Sequence, residues 1–176
     1  MTVTAPVHSP LTADDPRLGP WRAFIEAHAR VARRLDDDLR AEHDLSLAEY
    51  DALLSIAQAP GRRIRMRQLS DRVILSKSGV TRLIDRLVAD RLVERSACQA
   101  DARGAEAVLT DEGLARLRAA SRTHLRGITE HFIEPLDGTD MGALEASMRA
   151  VAVSAGPGSP THDACGPDEA GSADPR

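Results

Sequence analysis

Apolar residues recur every three or four positions through most of this chain, and the breaks in that rhythm carry turn residues. Leu18, Trp21, Ile25, His28, Ala32, Leu35 and Leu39 form one stripe, which predicts a long first helix. Its other side is charged, with Arg22, Glu26, Arg30, Arg33, Arg34 and Asp37. The stripe is longer than one small domain covers, so a second chain or the C-terminal helices are expected against it. His28, inside the stripe, reads as a packed or interface histidine. Ser46 followed by Glu49 predicts a capped helix start, with Leu45 and Tyr50 stapled across it. Tyr50, Leu53, Leu54 and Ala57 are its expected buried face, and Pro60-Gly61 ends it. Residues 62–65 suit a minor strand. Residues 66–74 suit a short helix with Leu69 and Val73 inward, although Arg65 is a poor cap.

A second short helix follows from Ser76, a good cap. Val80, Leu83, Ile84, Leu87 and Val88 point inward, leaving Lys77, Ser78, Thr81, Arg82, Asp85 and Arg86 outward. Leu92 to Arg95 and Ala105 to Leu109 flank a polar loop and predict a hairpin. Thr110 caps the next helix, with Leu114, Leu117, Ser121, Leu125, Ile128 and Phe132 on one face and Pro135 at its end. A last helix starts at Asp137 or Thr139 and carries Met141, Leu144, Met148 and Val151 on one side. Residues 1–16 read as a flexible arm. Residues 154–176 have four Pro, four Gly and no Leu, Ile, Val or Phe, the composition of a disordered tail. The expected fold is mainly α with a small β-wing: a winged helix-turn-helix lobe over 46–110, inside a domain spanning 17–153.

Charge sharpens this picture. The 176-residue chain has a net charge of −4, yet residues 62–104 hold 11 basic against 5 acidic side chains. A basic segment on an acidic body is the footprint of a phosphate-binding surface. Two short helices, the second with short polar and basic side chains outward, match a recognition helix for the major groove of double-stranded DNA. Lys77, Ser78, Thr81, Arg82 and Arg86 are the candidate contacts there. Arg103, beside Gly104 at the hairpin tip, is placed to enter the minor groove. Asp101 and Arg95 are its candidate supports.

With aromatics at 2% of the chain, the core must be aliphatic. No apolar run is long enough for a membrane span, and no basic segment precedes an apolar core at the N-terminus, so the cytoplasm is expected. Cys98 and Cys165 make neither a disulfide framework nor a zinc site. No phosphate loop, metalloprotease motif or nucleophile elbow is present, so no enzymatic activity and no cofactor are expected. Asp36-Asp37-Asp38 lacks the spacing of an EF-hand loop and reads as a solvated face.

Asp101-x-Arg103-Gly104 followed by Leu109-Thr110-x-x-Gly113 resembles the wing-to-helix pattern of the MarR family of bacterial transcriptional regulators. Residues Ser76 to Leu87 and Leu92 to Arg95 resemble that family's recognition helix and first wing strand, and the similarity covers roughly residues 18–153. The resemblance implies a homodimer in which helices from 17–44 and 111–153 interlock. It also implies a palindromic operator, usually repression, and release by a small aromatic or anionic effector. Two positions depart from the family pattern. Arg91 stands where Gly is common, and Ala107 where a larger apolar residue is usual, which suggests loose packing of the second wing strand.

Within the same fold, a pocket between the first helix and the base of the lobe would use Trp21, His28, Tyr50 and Asp51. A metal-responsive regulator would use His28, His43, His124 and His131, and a redox-responsive one Cys98, which lies near Arg95 and Arg103. A protein-interaction dimer without DNA binding is the remaining alternative. The basic surplus in 62–104 argues against it.

Overall fold

The structure, a computed structural model, describes residues 10–73, 77–97 and 105–156. The side chains of Lys77 and Ala97 lie outside the described set. Six helices and three strands are present among the described residues: α1 (Gly19–His43), α2 (Leu47–Gln58), β1 (Arg63–Arg65), α3 (Met66–Arg72), α4 (Lys77–Ala89), β2 (Val93–Ala97), β3 (Ala105–Leu109), α5 (Asp111–Ile128) and α6 (Met141–Ser154). The sheet is antiparallel in the order β1-β3-β2, with Ile64 opposite Ala107 and Arg95 opposite Ala107 on the other side. This is a winged-helix arrangement of mainly helical content.

The core is aliphatic and centres on α2, which packs against α1, α3, α4, α5 and the sheet. Being covered on several sides, α2 buries Tyr50, Ala52, Leu53 and Ile56. The expected face is therefore displaced: Leu54 and Ala57 sit only partly buried at its margin. On α4, Val80, Leu83, Ile84 and Leu87 are buried as expected, but Val88 is exposed. Ser76, the expected cap of α4, lies outside the described residues. Arg65 has no acceptor with which to cap α3. Instead the Gln68 carboxamide accepts from the Arg65 backbone N–H at 3.3 Å.

The face of α5 also differs from its large-residue stripe. The residues buried within the chain are Gly113, Leu117, Ala120, Thr123 and Gly127, while Leu125 and Phe132 are exposed. Small residues let the helices approach. A Cβ on Gly127 would lie 2.7 Å from the Leu35 side chain of α1, and one on Gly113 would lie 2.1 Å from the Leu92 carbonyl oxygen. α5 continues through a π turn (Thr129–Ile133) and a 3-10 turn holding Pro135. The cap of α6 is Asp140, whose carboxylate accepts from the Ala143 N–H at 3.0 Å, rather than Asp137 or Thr139. Among the described residues α6 buries none of its side chains and has no extensive packing against another element. The upper half of α1 is similarly bare, with Trp21, Phe24 and Ile25 exposed.

α4 ends with Arg91 in the left-handed region at φ 59, where the Leu92 N–H reaches the Leu87 carbonyl at 2.9 Å. This is the helix stop that Gly serves with least strain. Thr110 caps α5 by accepting from the Gly113 N–H at 2.9 Å, and its hydroxyl faces the Arg91 carbonyl at 2.8 Å. The turn after α4 and the start of α5 are thus one unit. Ala107 is fully buried in that sheet.

Opposite outcomes are expected from two glycine exchanges, both read as denaturant midpoints. Gly113→Ala forces backbone apart and should destabilise the protein by about 1–3 kcal/mol. Arg91→Gly relieves the left-handed residue and should stabilise it by about 0.5–1 kcal/mol, the steric relief exceeding the added unfolded-state entropy.

Candidate nucleic-acid interface

With its apolar side sunk in the lobe, α4 turns Ser78, Thr81, Arg82, Asp85 and Arg86 to the surface. The 3.6-residue period makes this division obligatory once Val80, Leu83, Ile84 and Leu87 are buried. Two ion pairs fix the helix from its flanks. Arg95 of β2 donates from Nη2 to Asp85 at 2.7 Å, and the same group lies 3.5 Å from the Thr81 carbonyl oxygen. Arg86 Nη2 lies 3.0 Å from Glu49 Oε1 of α2. Arg82 Nε faces the Ser78 carbonyl at 3.4 Å along the helix. The exposed face therefore offers hydroxyls and guanidinium groups on a backbone held at both sides, which suits phosphate and base-edge contacts.

The start of α2 is where these supports converge. Ser46 Oγ accepts from the Glu49 N–H at 3.2 Å, while Glu49 Oε2 accepts from Ser46 N–H at 2.8 Å and Ser46 Oγ–H at 2.7 Å. Asp36 of α1 accepts the Leu47 N–H at 2.8 Å and Arg40 Nε at 2.6 Å. Burial pushes the Asp36 carboxyl up, but the hydrogen bonds from Arg40 and Leu47 outweigh it and hold the group below its ordinary value. Asp36 is thus a bracket between α1 and the lobe and not part of a solvated face. Asp38, partly buried, lies 3.8 Å from His131.

Known proteins share this architecture. The sequence profile of the MarR family matches residues 43–104. The chain is similar to Sco3205, a MarR family transcriptional regulator from Streptomyces coelicolor solved in complex with DNA. The two are 30% identical over 84% of this chain and 95% of that one, with a TM-score of 0.75. The chain belongs to the MarR family of transcriptional regulators. AbsC, another Streptomyces coelicolor member, is 28% identical over 84% of this chain and 98% of its own, with a TM-score of 0.75. A mutant E. coli MarR complexed with operator DNA is 25% identical over 81% of this chain and 99% of its own, with a TM-score of 0.67. No curated protein matches the sequence.

In this MarR-family protein Arg95 sits on the first wing strand and reaches α4. Asp101, Arg103 and Cys98 lie outside the described residues, as does the Lys77 side chain. The sequence reading missed the carboxylates that hold the arginines. Glu49 carried a capping signal that accounted for it fully, and Asp85 looked like one more outward charge. Their partners are 37 and 10 positions away, beyond any helical period.

Among the described residues the four candidate pocket residues lie in different surroundings. Trp21 and His28 flank Phe24 on the exposed half of α1, each ring centroid 6.3 Å from that of Phe24. Asp51 is exposed on α2. Tyr50 is buried, with its hydroxyl 3.3 Å from Ser121 Oγ and its ring 4.4 Å from that of His124. An open groove does lie between the end of α1 and the start of α5, lined by Arg40, His43, Asp44, Glu112 and Arg116, and it contains none of the four.

The histidines diverge as well. His43 Nε2 meets Thr123 Oγ1 at 2.8 Å, and that hydroxyl donates to Glu42 at 2.8 Å, so His43 supplies the proton of the first bond. His131 faces Asp38, His124 faces Tyr50 and His28 lies near Phe24. No cluster of three metal-ligating groups is present among the described residues. Nor is any described helix long and apolar enough to cross a membrane.

Burial pushes the His124 imidazole below its ordinary value, and its Nδ1 is buried without a hydrogen-bond partner among the described residues. The unfolded chain therefore takes up this proton first as pH falls. Stability from neutral His124 is complete above about pH 6.5 and is lost as pH drops through the folded value. Chemical denaturation at pH 7.5 and pH 5 should show that loss, and His124→Gln should reduce it.

Proposed function

We propose that this protein is a sequence-specific regulator that binds double-stranded DNA as a homodimer on a palindromic operator. The observation that carries the reading is α4, which presents Ser78, Thr81, Arg82 and Arg86 outward from the segment 62–104, where basic side chains outnumber acidic ones on an otherwise acidic chain. Arg82 is the base-reading candidate and Arg103 the minor-groove candidate. Two relatives of the same fold are described as complexes with DNA.

The homodimer is supported by apolar surface that stands exposed among the described residues. Trp21, Phe24 and Ile25 on α1, Phe132 after α5, and Met141, Met148 and Val151 on α6 are all at least 40% exposed. Burying these side chains against a second copy is favourable, at roughly 25 cal/mol per Å² of apolar surface. A two-fold pair would place two α4 helices one DNA turn apart. We further propose repression, relieved by a small aromatic or anionic effector that binds where the two copies meet, with Trp21 and His28 at its wall. Tyr50 and Asp51 would contribute only from the adjoining lobe.

Sedimentation should give twice the chain mass. A monomer at micromolar concentration would remove the dimer. Fluorescence anisotropy with DNA from the protein's own upstream region should show tight binding that weakens steeply with salt. Arg82→Ala should weaken it by about 1–3 kcal/mol and relax selectivity for the operator, and Arg103→Ala should also weaken it. Binding that is indifferent to both changes would refute these contacts. Trp21 is the only tryptophan, so effector binding should alter the intrinsic emission. Release of DNA by an effector with the response unchanged in Trp21→Phe would place the pocket elsewhere.

A further inference from the structure

We propose that Glu49 is a positioning residue for DNA selectivity: its buried carboxylate holds Arg86 in place for one backbone phosphate and offsets the arginine's charge everywhere else. This rests on the DNA-binding reading above and deepens it.

The side chain of Glu49 is 3% exposed, while that of Arg86 is 64% exposed. A carboxylate so buried needs a partner for each oxygen. Oε2 is taken by Ser46 N–H and Oγ–H. Among the described residues, Arg86 Nη2 is the donor at Oε1, 3.0 Å away. The helix cap needs only the first oxygen, and a glutamine would serve it equally. A carboxylate, unlike a glutamine, also calls for a cation, and it finds one on α4.

Arg86 follows Arg82 by one helical turn on the outward face. Base edges are the work of the N-terminal half of such a helix, so a side chain this far along it meets the sugar-phosphate backbone. A guanidinium has five N–H donors in a rigid fork, more than one carboxylate oxygen can accept, and Nη2 makes the contact with Glu49 Oε1. An arginine already anchored loses less side-chain freedom when a phosphate arrives in register. The same anchor places a negative charge 3 Å behind the guanidinium, which weakens its long-range pull on any DNA. Position is gained and unspecific attraction is reduced, so the predicted effect falls on the ratio of operator to non-operator affinity.

Anisotropy with operator and scrambled duplexes, alongside thermal melting, tests this. Glu49→Gln keeps an acceptor for Ser46. It should lower the affinity ratio by about tenfold, with scrambled-DNA affinity unchanged or raised. In an Arg86→Ala background the same change should leave the ratio unaltered. Arg86→Lys keeps a cation beside Glu49 but not the fork, and should also lower the ratio. This variant decides the matter if Glu49→Gln does not fold. A purely structural role would lower the melting temperature and leave the ratio intact, and that result overturns the proposal. So does an equal fall in the ratio with and without Arg86. Absence of operator preference in the wild type instead removes the DNA reading itself, and this proposal with it.

Discussion

A buried carboxylate must be satisfied at both oxygens, and in this protein that requirement joins three helices. Glu49 closes the first turn of α2 on Ser46 and pairs with Arg86 on α4, while Asp36 reaches from α1 to the next free N–H of the same turn. The N-terminus of a helix has four unsatisfied donors. Three are met here, Ser46 N–H by Glu49, Leu47 N–H by Asp36 of α1 and Glu49 N–H by the Ser46 hydroxyl, and α4 balances the charge of Glu49. Displacing α4 would strand a charge in the interior, where an unpaired ion costs several kcal/mol. The exposed face of α4 is therefore set by a constraint on the hidden side of the lobe.

A second constraint acts at the other end of α4. The turn at Arg91, the Leu92 carbonyl and the first turn of α5 occupy the same small volume, with Gly113 leaving no room for a side chain. This links the wing to the long helix that lies along α1. The Leu109-Thr110-x-x-Gly113 pattern thus has a local physical meaning: Thr110 caps, and Gly113 allows close approach. The same helix meets α1 closely further along, where Gly127 faces Leu35.

The chain divides into well-packed and bare surfaces. The lobe around α2 is closed by aliphatic side chains, whereas the upper half of α1 and most of α6 leave theirs exposed. These bare segments also carry apolar residues at helical spacing. Periodicity reports that a face is to be buried, not against what. The proposed second copy is the cover that fits a face running along both ends of one chain.

Much of the fold was legible from residue order. Ser46 with Glu49, Thr110 before Asp111, and the spacing of Val80, Leu83, Ile84 and Leu87 are local signals, carried by neighbours within one or two helical turns. The outward set on α4 followed from the same spacing, and with it most of the candidate interface. What local pattern could not supply was any pairing across the fold. The stripe of large residues on α5 misplaced its buried face, because helices meet most closely where residues are smallest. Asp36 and Glu49 looked like a solvated charge and a simple cap, because their partners are separated in sequence and adjacent only after folding. Hydrophobic period and capping chemistry act over a few residues and were determined by the sequence itself. The choice of which carboxylate holds which arginine is made by three-dimensional proximity and the cost of burying charge, and only the tertiary structure decided it.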